Sequence, residues 1–143
     1  MKIRIWLCFF FLFCTASLAG AGEYSDGVQA KVILKTKNTS NGQPIAYLRT
    51  DNAEVTAMTV EIPPGAETGW HTHPVPVYVY VLSGSLTVEV EGKPASVFQA
   101  GDAFVEVVHT GHCGKNVGTV PVKLAVFYTG AENVQNVIRT SAP

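Results

Sequence analysis

The chain has 143 residues, which is enough for one domain built around one hydrophobic core. Ten lysine and arginine residues face 11 aspartate and glutamate residues, so the formal net charge is −1. Because no basic cluster occurs along the chain, we predict no nucleic-acid partner.

The start of the chain has the order of a secretory signal peptide. Lys2 and Arg4 provide a short basic segment, residues 5–13 are almost continuously apolar, and small residues follow in TASLAGAG. Cleavage fits after Ala19 or after Ala21. The alternative is an uncleaved membrane anchor, but the apolar run is too short to span a bilayer comfortably.

We therefore predict a signal peptide at residues 1–19 and a single domain at residues 20–143, in a secreted or periplasmic protein without stable membrane association. That domain would carry 8 basic and 11 acidic residues, a net charge of about −3. Cys113 would be its single cysteine, so no internal disulfide is expected. Cys113 is then either a small buried residue or a reactive thiol beside His112, and the good packing of free cysteine favours burial.

Short apolar runs separated by glycine, proline and asparagine follow in chain order. Residues 28–37 mostly alternate between apolar and polar side chains, which indicates a half-buried strand. Residues 38–44, NTSNGQP, have the composition of a turn. The uninterrupted β-branched and aromatic run at 77–82 indicates a strand buried on both sides. The tail is compatible with one short helical turn at 131–137. The predicted strands are residues 28–37, 45–48, 55–62, 70–73, 77–82, 85–91, 95–99, 103–108 and 120–128. Nine short strands without a helical period predict an all-β antiparallel barrel or sandwich.

All four histidines of the chain lie in two short segments. His71 and His73 are two residues apart, so on a strand both imidazoles leave the same face. Two converging ring nitrogens are the beginning of a metal site. His109 and His112 are three apart and face opposite ways on an extended chain, so only one of them should reach the metal.

The two histidine segments resemble the two signature motifs of the cupin family, and the motif region covers residues 65–116. The matching positions of the first motif and then of the second are Gly65, His71, His73, Gly84, Gly101, His112 and Asn116. The resemblance implies a small single-domain secreted cupin with a type-2-like barrel. Its fold would be a double-stranded β-helix, also called a jelly roll.

The resemblance also implies one divalent transition metal, which could be Fe, Mn, Zn, Ni or Cu, bound by His71, His73 and His112. The glutamate of the first motif falls on Val77, which cannot bind a metal. Glu106 lies in the apolar run FVEVV and is a candidate replacement, because a buried carboxylate needs a partner. The alternatives are Glu106 on an exposed edge, Glu67 as a weaker candidate, or three histidines completed by water.

The resemblance implies a small-molecule ligand at the metal and, as candidate activities, a metal-dependent dioxygenase, decarboxylase or isomerase. If the protein is an enzyme, a dioxygenase-like oxidoreductase is the first hypothesis; the alternative is a non-catalytic barrel that binds a small molecule or a metal. An inward-facing general base would favour an enzyme. Glu106 and His109 are the candidate catalytic residues, with Tyr78 as a further possible base. A homodimer is compatible with the family.

Overall fold

Nine β-strands form the regular structure of the residues that the computed structural model describes, namely 25 and 27–143. The expected signal peptide and both cleavage sites lie outside these residues. The strands are β1 (Ala53–Ile62), β2 (His71–Thr72), β3 (Val77–Ser83), β4 (Ser85–Val90), β5 (Ser96–Gln99), β6 (Ala103–Val105), β7 (His112–Lys115), β8 (Val122–Ala131) and β9 (Ile138–Arg139). Seven of them overlap strands predicted from the sequence.

The strands form two antiparallel sheets. The first sheet has the order β1-β8-β3-β6, and the second has the order β5-β4-β7-β2-β9. Residues 32–143 form one compact unit. No helix occurs among the described residues, and thus none there is long and apolar enough to cross a membrane. This architecture is the jelly-roll, or double-stranded β-helix, expected for the chain.

The core lies between the inner faces of the two sheets. In β3, Val77, Val79 and Val81 are buried, whereas Tyr78 and Tyr80 point to the outer face and are half-buried. Each fully buried valine contributes roughly 1.5 kcal/mol through removal of its apolar surface from water. The prediction that this strand is buried on both sides is therefore wrong, because its other face lies at the molecular surface.

Two motif residues have purely structural contacts. Gly84 turns β3 into β4 with a φ of 80°, and a Cβ at this position would lie 2.8 Å from the carbonyl oxygen of Pro121. Only glycine fits both restrictions. Asn116 is buried, and its Nδ2 donates hydrogen bonds to the carbonyl oxygens of Ile62 and Val120, each at 2.8 Å. These bonds join the end of β1 to the loop before β8.

The predicted strands at 28–37 and 45–48 are wrong. Residues 27–37 are exposed, and in the described part of the chain their backbone joins no sheet. Alternation of side chains permits a strand, but a strand forms only where a neighbouring strand accepts its hydrogen bonds. The turn at 38–44 is present, closed by a bridge between Asn38 and Pro44. The alternative of a buried Cys113 is the one observed.

The tail also differs from the prediction. Residues 131–137 form no helix; the chain turns at Asn133, whose φ is 63°, and continues to β9. Sequence reasoning missed both β9 and β7. β7 is HCGK, which has little β-propensity, and β9 has two residues. Both strands are stabilised by their neighbours in the sheet rather than by their own sequences.

Candidate metal centre

Two neighbouring strands of the second sheet carry His71 and His112, and His73 directly follows the first of these strands. β2 pairs with β7 so that His71 lies directly opposite His112, and opposed residues share a face. His73 follows two residues after His71 and points the same way. The centroid distances are 4.3 Å between His71 and His112 and 4.8 Å from His73 to each of them. Sheet register therefore brings together histidines that are 41 residues apart in the chain.

Glu106 enters the same site from the first sheet. β3 and β6 are antiparallel, with Tyr78 opposite Val105, and the Glu106 N–H donates a 2.9 Å hydrogen bond to the carbonyl of Val77. Glu106 is thus the cross-strand neighbour of Val77, and its side chain leaves the same inner face. Its Oε2 lies 2.6 Å from Nε2 of His73 and 3.6 Å from Nε2 of His112. The inward alternative for Glu106 is the one observed.

The ligand atoms of His71, His73, Glu106 and His112 all lie within 4.8 Å of one another. The carboxylate that the first motif lacks at Val77 is therefore supplied by the residue that directly follows the adjacent strand, β6. Glu67 remains outside this group; it is exposed, and its carboxylate lies 3.6 Å from Nζ of Lys115.

Backbone carbonyls fix the tautomer of all three imidazoles. Nδ1 of His71 lies 2.8 Å from the oxygen of Gly69. Nδ1 of His73 lies 2.7 Å from the oxygen of Asn136. Nδ1 of His112 lies 3.0 Å from the oxygen of Thr110. A carbonyl oxygen only accepts hydrogen bonds, so each Nδ1 carries the proton. In the neutral ring, Nε2 then presents its lone pair to the site.

Two of these lone pairs have no hydrogen-bond partner. Among the described residues, Nε2 of His73 and Nε2 of His112 are buried without a hydrogen-bond partner, although Oε2 of Glu106 lies 2.6 Å from Nε2 of His73. A neutral imidazole nitrogen and a carboxylate oxygen are both acceptors, and two acceptors so close repel unless a proton or a cation lies between them. Three imidazoles and one carboxylate are suitable ligands for a divalent transition metal. The donor set therefore fits the metal expected from the sequence.

Electrostatics favour a cation in this position. Burial alone would raise the pKa of Glu106, but hydrogen bonds and charge from His112 and His73, where these imidazoles carry a proton at Nε2, lower it to about 2. Burial lowers the pKa of His71, and the neighbouring His112 and His73 lower it further. Glu106 is therefore ionised and His71 neutral at neutral pH, which are the states that bind a metal.

A cavity of about 50 Å³ between the sheets is lined by three of the four residues, His71, His73 and Glu106. Its walls are mainly aliphatic, and they include Leu86, Val88 and Val126. Tyr128 also lines the cavity, with its ring centroid 5.5 Å from that of His73. Burial and the charge of Glu106 raise the pKa of Tyr128 to about 12. Sequence reasoning missed Tyr128, although the alternation of β8 could have placed it inward with Val126.

The other two candidate bases lie elsewhere. His109 is exposed, has a φ of 54° and donates its backbone N–H to the carbonyl of His73, but its side chain is not in the four-residue group. Tyr78 is on the outer face of β3. The catalytic roles assigned to Glu106 and His109 stay predictions.

The chain belongs to the cupin family. The family model of the cupin domain matches residues 58–128, which include all four residues of the candidate metal centre. No curated protein matches the chain.

Solved structures with the same fold include enzymes. DMSP lyase DddQ from Ruegeria pomeroyi aligns with a TM-score of 0.54 and 23% identity, over 69% of this chain and 47% of the lyase chain. Oxalate decarboxylase from Lactobacillus farciminis, in a formate complex, aligns with a TM-score of 0.52 and 28% identity, over 59% of this chain and 26% of that one. The cupin domain of Schizosaccharomyces pombe Cnp3 aligns with a TM-score of 0.51 and 22% identity, over 59% of this chain and 62% of that chain. The matched region is about half of the lyase chain and a quarter of the decarboxylase chain.

Proposed function

We propose that the protein holds one divalent transition metal through His71, His73, Glu106 and His112, and that a small organic carboxylate binds at this metal. The buried, unpartnered Nε2 atoms of His73 and His112 carry the proposal. Leaving a buried polar atom without a partner costs about 1–3 kcal/mol. Coordination of a metal would remove this cost for both nitrogens and separate Glu106 from His73.

The net charge of the site with a bound metal supports an anionic ligand. A divalent cation, three neutral imidazoles and one carboxylate sum to a formal charge of about +1. The remaining walls of the cavity are mainly aliphatic, and an uncompensated charge is unfavourable in such surroundings. No lysine or arginine of the described residues lines the cavity. A ligand with one carboxylate would neutralise the site, whereas a dicarboxylate such as oxalate would change its formal charge to about −1.

The size of the cavity limits the ligand. A cavity needs roughly 10–15 Å³ of this kind of volume to hold one water molecule, so 50 Å³ accommodates about four. We therefore propose a ligand with few heavy atoms, comparable to formate or oxalate. A bound metal of this class supplies Lewis-acid or redox chemistry.

Two functions are compatible with this site. The first is an enzyme, and among dioxygenase, decarboxylase and isomerase the decarboxylase is supported by the 28% identity to a protein named for a reaction on oxalate. Fold alone does not select a reaction. The second is a non-catalytic binder. It is favoured by the high pKa of Tyr128 and by the position of Glu106 among the histidines, which leave no free base along the cavity in the described structure.

Metal analysis and ligand titration of protein purified without a histidine tag test the proposal. We expect about one metal per chain, binding of formate or oxalate to the metal-loaded form, and none to the metal-free form. The neutral analogues formamide and oxamide are matched controls and should bind at least tenfold more weakly. Product analysis by NMR then separates an enzyme from a binder. Metal-free wild-type protein that takes up no added metal would contradict the proposal.

We also propose export, and association into a homodimer. Export is supported by the order of residues in the first segment of the chain, and a homodimer by the exposed apolar side chains of residues 28–37. Amino-terminal sequencing of secreted protein should give Gly20 or Gly22 as the first residue. Sedimentation equilibrium should give twice the mass of one chain.

A further inference from the structure

The segment after β8 folds back against β2, which contains His71 and is followed directly by His73. We call residues 132–140 the C-terminal strap. Its β9 pairs with β2, placing Arg139 opposite His71 and Ile138 opposite Thr72. The Thr140 N–H also donates to the carbonyl of Trp70. The strap is thus the edge of the five-stranded sheet beside the candidate metal centre.

The strap supplies the carbonyl that holds His73, whereas the other two histidines are held by carbonyls outside the strap. His71 and His112 are held by carbonyls of residues only two positions away in the chain. His73 is held by the carbonyl of Asn136, which is 63 residues away, at 2.7 Å. The orientation of His71 and His112 is therefore local, whereas that of His73 depends on the position of the strap.

The side chain of Asn136 attaches the strap to the opposite sheet. Its Nδ2 donates a 3.0 Å hydrogen bond to Oγ1 of Thr56, on the inner face of β1. Its Oδ1 packs against Gly130, where an added Cβ would lie 3.4 Å away. Asn136 therefore contacts both sheets: its carbonyl holds a histidine of the second sheet, and its amide is bonded to the first.

We propose that Asn136 is a positioning residue for His73, and that its bond to Thr56 sets the affinity of the centre for its metal. The inference rests on the proposed metal-binding function. A hydrogen bond to the second nitrogen of a ligating imidazole fixes the ring and increases its basicity, and loss of such a group typically costs ten- to hundredfold in metal affinity. Without the anchor, the strap carbonyl moves and Nε2 of His73 is no longer held toward Glu106.

Paired substitutions at each end of the bond test the inference. Thr56→Val keeps the shape and removes the hydroxyl acceptor, whereas Thr56→Ser keeps the hydroxyl. Asn136→Ala removes the amide, and Gln135→Ala removes an adjacent exposed amide as a matched control. The measurements are the Kd for Co²⁺, by competition with a chromophoric chelator, and the visible absorption spectrum of bound Co²⁺.

We expect Thr56→Val and Asn136→Ala to weaken Co²⁺ binding about ten- to hundredfold and to alter its visible spectrum. Thr56→Ser and Gln135→Ala should stay within about twofold of wild type. If Asn136→Ala fails to fold, the Thr56→Val and Thr56→Ser pair decides alone. Wild-type affinity and spectrum in folded Thr56→Val would overturn the positioning role.

A measurement on the metal-free protein separates this inference from the proposed function. Nitrogen-15 NMR should show His73 protonated at Nδ1 in wild type, with slow exchange of that proton. Thr56→Val should accelerate the exchange, and unchanged exchange would also overturn the positioning role. If the wild-type protein binds no Co²⁺ although His73 has the described tautomer, the proposed metal-binding function is wrong, and this inference is wrong with it.

Discussion

Glu106→Gln should change the stability of the metal-free protein in opposite directions at low and high pH. At pH 8, the Glu106 carboxylate and Nε2 of His73 are two acceptors 2.6 Å apart. Glutamine has nearly the same shape, and its amide donates a hydrogen bond to that nitrogen. Satisfying a buried acceptor is worth about 1–3 kcal/mol, so the variant should be more stable than wild type by about 1–2 kcal/mol.

The order of the two stabilities reverses at lower pH, where His112 is protonated. The pKa of Glu106 is lowered from 4.5 to about 2, so its ionisation stabilises the fold above pH 4.5 and this contribution is lost as the pH falls toward 2. Burial lowers the pKa of His112, but the Glu106 carboxylate outweighs burial and raises it. The protonation of His112 therefore stabilises the fold fully below pH 6.5, and this stabilisation is lost as the pH rises through the raised pKa of His112. Both shifts come from one interaction between Glu106 and His112, so between pH 4.5 and 6.5 the wild type gains it once; the shift of Glu106 corresponds to about 3 kcal/mol.

Thermal unfolding of metal-free protein at pH 5.5 and pH 8 measures both effects. For a domain of this size, 1 kcal/mol corresponds to about 4 °C in Tm. We expect Glu106→Gln to melt lower than wild type at pH 5.5 and higher at pH 8. With saturating metal at pH 8, a ten- to hundredfold loss of affinity reduces the stabilisation by about 1.4–2.7 kcal/mol.

The matched control is Glu67→Gln, which removes an exposed carboxylate beside Lys115 and should leave metal affinity unchanged. A Glu106→Gln variant that has the Tm of wild type at both pH values and retains full metal affinity would refute the assignment of Glu106 to the centre.

Three further predictions concern the same residues. His73→Ala should lower the metal content and the Tm of the metal-loaded protein, and complete metal retention after replacing His71, His73 and His112 together by alanine would exclude the centre. Val77→Glu alone should destabilise the fold by about 3 kcal/mol or more, because it adds a second buried carboxylate beside Glu106. Combined with Glu106→Val, it should restore the metal affinity that Glu106→Val alone weakens; failure of this rescue in a folded protein would mean that the two positions are not equivalent. Metal affinity should weaken about tenfold per pH unit below the raised pKa of His112, since the metal displaces its proton, and a flat profile from pH 8 to 6 would contradict this.

The common direction of His71 and His73 could be predicted because it depends on local periodicity, whereas His112 was assigned through its resemblance to the second cupin motif. The spacing of His71 and His73 determines that they share a strand face. The alternation of residues 85–91 similarly gave the correct strand and its inner face. Features of this kind need no information about neighbouring strands.

Features that depend on register could not be predicted in the same way. The alternation of the run around Glu106 shows which residues share a face, but not which face meets the core; this became clear only with the pairing of Glu106 and Val77. Asn136 gave no signal, because its contact with His73 joins residues 63 apart through a backbone carbonyl. Residues 28–37 have the periodicity of a strand without a strand partner among the described residues. Their exposure follows from topology rather than from composition.

The cross-strand relation between Val77 and Glu106 bears on how such centres are recognised. A linear signature records the order of ligands along the chain, whereas a metal responds only to where donor atoms are in space. Opposite residues of an antiparallel pair have Cβ atoms about 5 Å apart and present their side chains to the same volume. A ligand can therefore be exchanged between two such positions without altering the donor set. Searches that pair each motif position with its cross-strand neighbour would detect centres that a one-dimensional pattern scores as incomplete.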